Sequence, residues 1–175
     1  MMKALSTIVA ASVLFFSMGS PATGETVSVK TDRPHQSVQD QTTVKQRSFN
    51  MLQAAYQTQI SLSSKERTKS EMKRILAPYF TDDMADIYLK HNAVKGQKQF
   101  IVYGTDFPIF SIPFFSYGPE TKLKDKGDKR IIYQFFEKTD EGPVSYDNHY
   151  EAVTLTKTGG KWKVSSITES IEEPK

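Results

Sequence analysis

Residues 155–167 read LTKTGGKWKVSSI, and this stretch decides the fold because it has the pattern of a tight β-hairpin. Two glycines at 159–160 form a two-residue turn, which is the kind of turn that fixes the register of the flanking strands. The turn predicts three facing pairs: Leu155 with Val164, Lys157 with Trp162, and Val153 with Ser166. A bulge near Ser165 or Ser166 is the alternative, because the apolar residues on its two sides differ in parity.

The predicted buried face of this hairpin becomes polar away from the turn. Glu151 and His149 follow the apolar positions of one strand, and Thr168 follows those of the other. On a curved sheet covered by helices, such a gradient would place these three residues at the mouth or floor of an apolar cavity. The alternative is that this end of the sheet runs past the helices into solvent.

Helical periodicity dominates the chain before residue 96, and strand patterns dominate after it. A long helix is expected from Thr42, a second after a Ser63–Glu66 capping box, and a third from Thr81 to Gly96. Strands are expected at these places: 99–103, within 107–117, 129–138, 149–157 and 161–171. The last three form an antiparallel meander. The fold class is therefore α+β, with three N-terminal helices packed on a curved antiparallel sheet.

The first 24 residues have the pattern of a secretory signal peptide. Lys3 precedes an apolar run of about 13 residues, which is shorter than the roughly 20 that a membrane-spanning helix needs. Small residues at 22–24 predict cleavage after Gly24. We therefore expect a signal peptide at 1–24, a flexible leader at 25–41 and a single domain at 42–175, in an exported protein.

Composition excludes several classes of function. The chain has no cysteine, so it can hold neither a disulfide nor a thiolate metal site. Cleavage would remove one of the 23 basic residues and none of the 20 acidic ones, which leaves a nearly neutral protein. That balance argues against nucleic acid as a partner. The basic stretch 122–130 includes two aspartates and is interpreted as a solvated loop around Gly127, with a surface-binding role as the alternative.

The segment 107–117 combines five aromatic residues with two prolines, which argue against a central strand. Three interpretations stay open: the wall of a hydrophobic pocket, an exposed patch that docks a partner, or a plug in the core. Phe107, Phe110 and Tyr117 are its candidate ligand-binding residues. Asp106 lies in the polar turn just before it, where bonding to nearby backbone amides is the simplest role.

The order of elements and the closing Gly-Lys-Trp hairpin resemble the nuclear-transport-factor-2-like fold, a cone shared by isomerases, cyclases and non-catalytic modules. More narrowly, four motifs resemble an exported bacterial family, the domain of unknown function 3993 family, over most of residues 45–171. The motifs are Tyr79-Phe80, Gly104-Thr105-Asp106-Phe107, Ile112-Pro113-Phe114-Phe115-Ser116-Tyr117 and Glu141-Gly142-Pro143-Val144-Ser145-Tyr146. This resemblance brings no established activity, and the cone alone does not specify function.

In the isomerase and cyclase branches of that fold, an Asp or His in the cone acts as a general base and Tyr or acid groups stabilise an enolate. The resemblance therefore implies these candidates: Asp106, Tyr133, Tyr146, Asp147, His149 and Glu151. None of them falls in a matching catalytic motif. The acidic residues that begin the third helix are explained by the helix dipole rather than by a metal.

We therefore expect a secreted, non-catalytic binding module for a small apolar ligand or an extracellular protein partner, with neither cofactor nor metal. The candidate ligand-binding residues are Phe107, Phe110, Tyr117, Tyr133, Tyr146, His149, Glu151 and Thr168. The alternative is a small isomerase, cyclase or dehydratase with His149 or Asp147 as base. The resembled fold also admits a homodimer.

Overall fold

Three helices precede the strands along the chain. A computed structural model describes residues 34–104, 109–141 and 145–175, with side chains from Asp40 onward. The helices are α1 (Pro34–Ile60), α2 (Lys69–Leu76) and α3 (Asp82–Asn92), and a short 3₁₀ turn, Ser61–Ser63, follows α1. The first helix begins at Pro34, before the expected start at Thr42, so its first two turns fall within the segment 25–41 assigned to a leader.

Local side-chain bonds fix where α2 and α3 begin. Thr81 caps α3 as expected, since its hydroxyl accepts the backbone N–H of Met84. The capping box of α2 is Thr68 with Glu71, and the predicted box of Ser63 with Glu66 was wrong. Ser63 instead lies in the 3₁₀ turn that extends α1, and Glu66 bonds to a different part of the chain.

A small hairpin follows α3 where the sequence predicted more helix. The third helix ends at Asn92 rather than at Gly96, and β1 (Ala93–Lys95) pairs antiparallel with β2 (Phe100–Val102). The Glu66 carboxylate accepts the backbone N–H groups of all three residues at 97–99, each at 2.7 Å. A Cβ atom at Gly96 would collide with this carboxylate, which explains why glycine occupies that position.

The main sheet is a four-stranded antiparallel meander, as expected for the second half of the chain. Its strands lie in chain order: β3 (Lys122–Asp125), β4 (Lys129–Phe136), β5 (His149–Thr158) and β6 (Lys161–Ser170). The interpretation of 122–130 as a solvated loop was wrong, because β3 and β4 form a hairpin there. Gly127 lies in its turn with a positive φ of 82°, a conformation that favours glycine.

The closing hairpin has the predicted register near its turn and loses it farther along. Leu155 faces Val164, and Lys157 faces Trp162. A bulge between the pairs of Thr154 and Leu155 places Ile167, not Ser166, opposite Val153. At the bulge, the backbone of Val164 also bonds to the chain between α2 and α3, through Tyr79 O and Thr81 N. The predicted pair of Val153 with Ser166 was therefore wrong, and the alternative bulge is present.

The aromatic segment does not form the predicted strand. Residues 109–117 form a turn followed by irregular chain, with Pro113 in its middle. Ile112 and Phe115 are buried in the main core, whereas Phe114 is 68% exposed. The segment is therefore neither wholly a plug nor wholly a patch, because some of its side chains face the core and others face the solvent.

One hydrophobic core serves the compact unit Pro34–Lys175. It contains side chains from all three helices together with Ile132, Val153, Leu155 and Val164 from the main sheet. Tyr133 and Ala152 are also buried, but they lie outside this core cluster. Within residues 34–104, 109–141 and 145–175, no helix has the length and apolar character needed to cross a membrane.

Candidate functional site

A cleft of about 300 Å³ lies between α1 and the aromatic segment. We call it the aromatic cleft, and its lining residues are Gln53, Tyr56, Gln57, Pro113, Phe114, Phe115 and Tyr117. The rings of Tyr56 and Phe114 meet edge to face, with centroids 5.6 Å apart. Aromatic walls with a few polar groups at one side are typical of sites for small ligands.

The amide of Gln59 holds the start of the aromatic segment against α1. Its Nε2 donates to the carbonyl of Phe110 at 3.2 Å, and its Oε1 accepts the backbone N–H of Ile112 at 2.9 Å. Ser111 Oγ donates to the same oxygen at 3.3 Å. Gln59 is only 2% exposed, so this amide satisfies buried backbone groups of a segment that has no sheet partner.

Two further amide side chains hold the segment at other points. Asn92 Nδ2, at the end of α3, donates to the carbonyl of Ile109 at 2.6 Å. Gln134 Oε1, on β4, accepts the backbone N–H of Ser116 at 2.9 Å and the hydroxyl of Thr121 at 2.8 Å. The irregular chain is thus fixed by Gln59, Asn92 and Gln134 rather than by a ladder of strand hydrogen bonds.

Strained backbone marks two positions of the segment. Phe110 has φ of 57° and Tyr117 has φ of 55°, which is the left-handed region that bulky residues rarely adopt. Such conformations persist only where surrounding contacts enforce them, and they are common at binding sites. At Phe110 the enforcing contact is the bond to Gln59, and at Tyr117 it is edge-to-face packing on Phe49 at 5.4 Å.

The aromatic cleft carries no charge at neutral pH. Burial raises the pKa of Tyr117 to about 12, so its phenol stays protonated. The other polar side chains of the lining are the phenol of Tyr56 and the amides of Gln53 and Gln57, and the lining residues include no carboxylate, imidazole or ammonium group. The cleft therefore offers apolar contact and neutral hydrogen bonds, which suit an uncharged ligand.

The candidate residues from the sequence are not brought together in one site. Tyr117 lines the aromatic cleft, whereas Phe110 does not line it and has its ring against His91 at 5.1 Å. Tyr133 is on the other face of the sheet from Val153, because it pairs with Ala152. Phe107 and Asp106 lie outside the residues that the structure describes.

A second cluster forms at the end of β5 that is remote from the glycine turn. His149 is buried, stacks on Phe136 at 5.5 Å and meets the ring of Tyr146 at 5.0 Å. Its Nδ1 lies 2.8 Å from the carbonyl of Asp147, and its Nε2 lies 3.6 Å from Glu151 Oε1. Burial raises the pKa of Glu151, against the opposing effect of His149.

Thr168 does not belong to that cluster. The bulge sets Thr168 opposite Ala152 and sets Glu169 opposite Glu151, so Thr168 is on the other face of the sheet. The expectation that Glu151, His149 and Thr168 share one face was wrong for this reason. Neither His149 nor Glu151 lines the aromatic cleft. In the described parts of the chain, no group of three or more acidic or histidine side chains could hold a metal.

A comparison with models of protein families identifies the family of this chain. The model of a family described as "Protein of unknown function (DUF3993)" matches residues 44–136 of the 175-residue chain. The chain belongs to the DUF3993 family. A search of curated proteins finds no significant match.

The region matched by DUF3993 contains the whole aromatic cleft. It runs from within α1 to the end of β4, so it includes the three amides of Gln59, Asn92 and Gln134 that hold the aromatic segment. His149 and Glu151 lie after the matched region. The family match thus includes the whole cleft but neither His149 nor Glu151.

Proposed function

We propose that this DUF3993 protein is a non-catalytic binding protein whose aromatic cleft takes a small, uncharged, largely apolar ligand. The observation that carries the proposal is Phe114, a large aromatic side chain that is 68% exposed on the wall of a preformed cleft. Covering one such ring removes apolar surface from water and contributes about 1.5–3 kcal/mol to a complex. Gln53 and Gln57 would orient the polar part of the ligand.

The held backbone of the aromatic segment supports binding rather than simple packing. Gln59 and Gln134 fix the two sides of Phe114, so its ring is presented without the entropy cost of ordering a loop on binding. A protein partner could use the same exposed ring as an anchor. The size of the cleft, about 300 Å³, favours the small ligand, because it matches the lower end of ligand pockets in proteins.

A titration with the neutral fluorescent probe N-phenyl-1-naphthylamine tests the proposal. Saturable binding to the wild-type protein should weaken at least about tenfold in Phe114→Ala, which corresponds to about 1.4 kcal/mol. Phe135→Ala is the matched control, because Phe135 is also an exposed phenylalanine but lies outside the cleft. Equal weakening by both variants, or an absence of saturable binding to the wild type, would contradict the proposal.

Acid–base chemistry at His149 and Glu151 is the second candidate function. The observation in its favour is the raised pKa of a half-buried carboxyl group 3.6 Å from an imidazole nitrogen, a combination that occurs in catalytic sites. The reaction in this case would be proton abstraction from a substrate carbon, as in isomerases, cyclases or dehydratases. Proton exchange from a labelled ketosteroid or similar carbon acid, lost in both His149→Phe and Glu151→Gln, would favour this function over binding alone.

We also propose that the protein is exported and that its fold is cone-like. We infer that residues 1–24 are a signal peptide removed after Gly24, followed by a leader, because Lys3, the short apolar run and the small residues at 22–24 follow the export pattern. Mass spectrometry of protein recovered outside the producing cells should give an N-terminus at Glu25. Recovery of the intact chain inside the cells would contradict both cleavage and export.

The cone-like, nuclear-transport-factor-2-like arrangement is likewise inferred. Its support is a shared core of helical and strand side chains and a bulge that increases the local twist of β6. In such a cone, the helices cover one face of the sheet. An experimental structure in which the helices leave Val153 and Leu155 uncovered would oppose it.

A further inference from the structure

The chain that follows β6 contacts the outer face of the main sheet, which we define by Tyr133, Ala152 and Lys124. Tyr133 and Ala152 are buried although they lie outside the main core. The contacting segment is residues 171–175, which form neither helix nor strand. Its sequence, Ile-Glu-Glu-Pro-Lys, is mostly charged.

Two side chains of the sheet bind the carboxylate of Glu173. The hydroxyl of Tyr133 donates to Glu173 Oε1 at 2.6 Å, and Lys124 Nζ donates to the same oxygen at 2.7 Å. Lys124 Nζ also donates to the carbonyl of Pro174 at 2.6 Å, and it lies 4.9 Å from the centre of the Tyr133 ring. The sheet thus recognises a carboxylate and the backbone carbonyl of the following residue.

The charges of these groups suit this recognition. Burial raises the pKa of Tyr133, so the phenol keeps the proton that it donates. The hydrogen bond to Glu173 raises the pKa of Lys124, so the amine stays protonated. Charge-assisted hydrogen bonds of this kind are roughly twice as strong as neutral ones.

The 171–175 segment has the properties of a replaceable occupant. Its one aliphatic side chain apart from proline, Ile171, is 86% exposed and packs on nothing in the core cluster. Beside the carboxylate site, the ring of Tyr150 lies 5.0 Å from that of Phe135, whose side chain is also exposed. Apolar surface next to the site is therefore left uncovered by the segment that occupies it.

The β3–β4 hairpin extends the site with positive charge. Lys122 faces Tyr133 across the two strands, Lys126 precedes Gly127 in the turn, and Lys129 is the first residue of β4. Among the ion pairs of the described residues, these three lysines have no carboxylate partner. Asp125, the acidic residue of β3, is already bound to Arg130 at 2.9 Å. Asp128 in the turn offsets one of the three lysine charges, so an acidic ligand would find a net excess of cations here.

We propose that Lys124 and Tyr133 form a binding site for an acidic, extended peptide segment of a partner protein, with the 171–175 segment as an internal substitute. The partner segment would carry a glutamate followed by a residue whose carbonyl reaches Lys124, and an apolar side chain that covers Phe135. The tethered substitute competes at an effective concentration of about millimolar, so a partner must exceed it in affinity or local concentration. This site is independent of the aromatic cleft.

Release of the substitute exposes the site to a labelled peptide. The full chain is prepared as wild type, as Glu173→Lys, which repels Lys124, and as Glu172→Lys, which makes the same charge change at the neighbouring residue. The side chain of Glu172 makes no hydrogen bond or ion pair in the described structure, and its backbone N–H bonds to Ser170 Oγ. The probe is a fluorescein-labelled peptide with the sequence of residues 170–175, titrated by fluorescence anisotropy.

The peptide should bind the Glu173→Lys protein at least about tenfold more tightly than the wild type or Glu172→Lys, since one charge-assisted contact is enough for that factor. Adding Lys124→Met to Glu173→Lys should abolish the binding. Circular dichroism checks that the variants fold. If Glu173→Lys does not fold, Glu173→Gln, which has the same shape without the charge, carries the same expectation.

Two results would overturn the proposal. The first is a peptide affinity that is the same for the Glu173 and Glu172 variants, which would mean that the surface responds to net charge alone. The second is an absence of peptide binding to either Glu173 variant when both are folded. Neither result bears on the aromatic cleft, whose probe titration is separate.

Discussion

Gln59 Oε1 accepts the backbone N–H of Ile112 at 2.9 Å, although the two residues are 53 positions apart in the chain. This bond joins α1 to the aromatic segment and is made inside the core. The wall of the cleft is therefore held by a buried amide, in a segment without regular structure. The position of Phe114 depends on it.

Replacing Gln59 by leucine should destabilise the protein. The change leaves the backbone N–H of Ile112 without its partner, and a buried unsatisfied group costs about 1–3 kcal/mol. Urea unfolding measures the loss of unfolding free energy. Gln57→Leu, on the exposed side of the same helix, should change it by less than about 0.5 kcal/mol. Equal effects of the two substitutions would contradict the role assigned to Gln59.

Two adjacent phenylalanines should differ sharply in their contribution to stability. Phe115 is 6% exposed and belongs to the core cluster, whereas Phe114 is 68% exposed. Phe115→Ala should lower the unfolding free energy by about 3–5 kcal/mol, and Phe114→Ala should lower it by less than about 1 kcal/mol. Denaturant unfolding of both variants gives the comparison. A larger loss for Phe114→Ala than for Phe115→Ala would mean that Phe114, rather than Phe115, is the buried residue of the segment.

The hydrogen bonds between the Glu66 carboxylate and the β1–β2 turn should depend on pH. The backbone N–H groups of Gln99, Lys98 and Gln97, in that order of effect, lower the pKa of Glu66 below its ordinary value of 4.5. A lowered carboxyl pKa contributes stability that is complete above about pH 4.5 and is lost as the pH falls through the folded-state value. Amide chemical shifts of residues 97–99, followed on acidification, should report this loss.

Glu66→Gln should remove the acid-dependent change of those amide shifts. Glu172→Gln is the control, because the Glu172 carboxylate makes no bond in the described structure. It should leave the titration of residues 97–99 as in the wild type. If the shifts titrate in the same way without the Glu66 carboxyl group, another group controls the turn.

The ionisation of Glu151 should change stability with pH in the direction opposite to that of Glu66. Burial raises its pKa, so the folded protein holds the proton more tightly than the unfolded chain does. Stability therefore falls as the pH rises from about 4.5 through the raised folded-state value. Glu151→Gln should remove this fall and raise the unfolding free energy at pH 7. A lower stability of Glu151→Gln at pH 7 would show that the Glu151 carboxylate stabilises the fold.

The sequence allowed prediction of features that depend on neighbouring residues. The glycine turn determines the first pairs of the closing hairpin, and Thr81 caps α3 through a bond three residues away. The bulge beyond Leu155 could not be predicted in the same way. It occurs where Val164 bonds to Tyr79 and Thr81, which are far away in the chain.

The candidate site could be predicted only in part. The density of aromatic residues pointed to the segment that contains Phe114 and Tyr117, but the cluster around His149 turned out to be separate from it. The amide of Gln59 was missed, although one signal was present in the sequence. It follows the buried residues Leu52 and Ala55 at helical spacing, so it is a polar residue at a core position of α1.

Intermolecular nuclear Overhauser effects from bound N-phenyl-1-naphthylamine test the central claim most directly, because they locate the probe. We predict contacts from the probe to the ring protons of Tyr56, Phe114 and Tyr117 in the aromatic cleft. Contacts to Tyr146 and His149, or to Tyr133 and Tyr150, with none to the cleft, would contradict the claim that the aromatic cleft is the binding site.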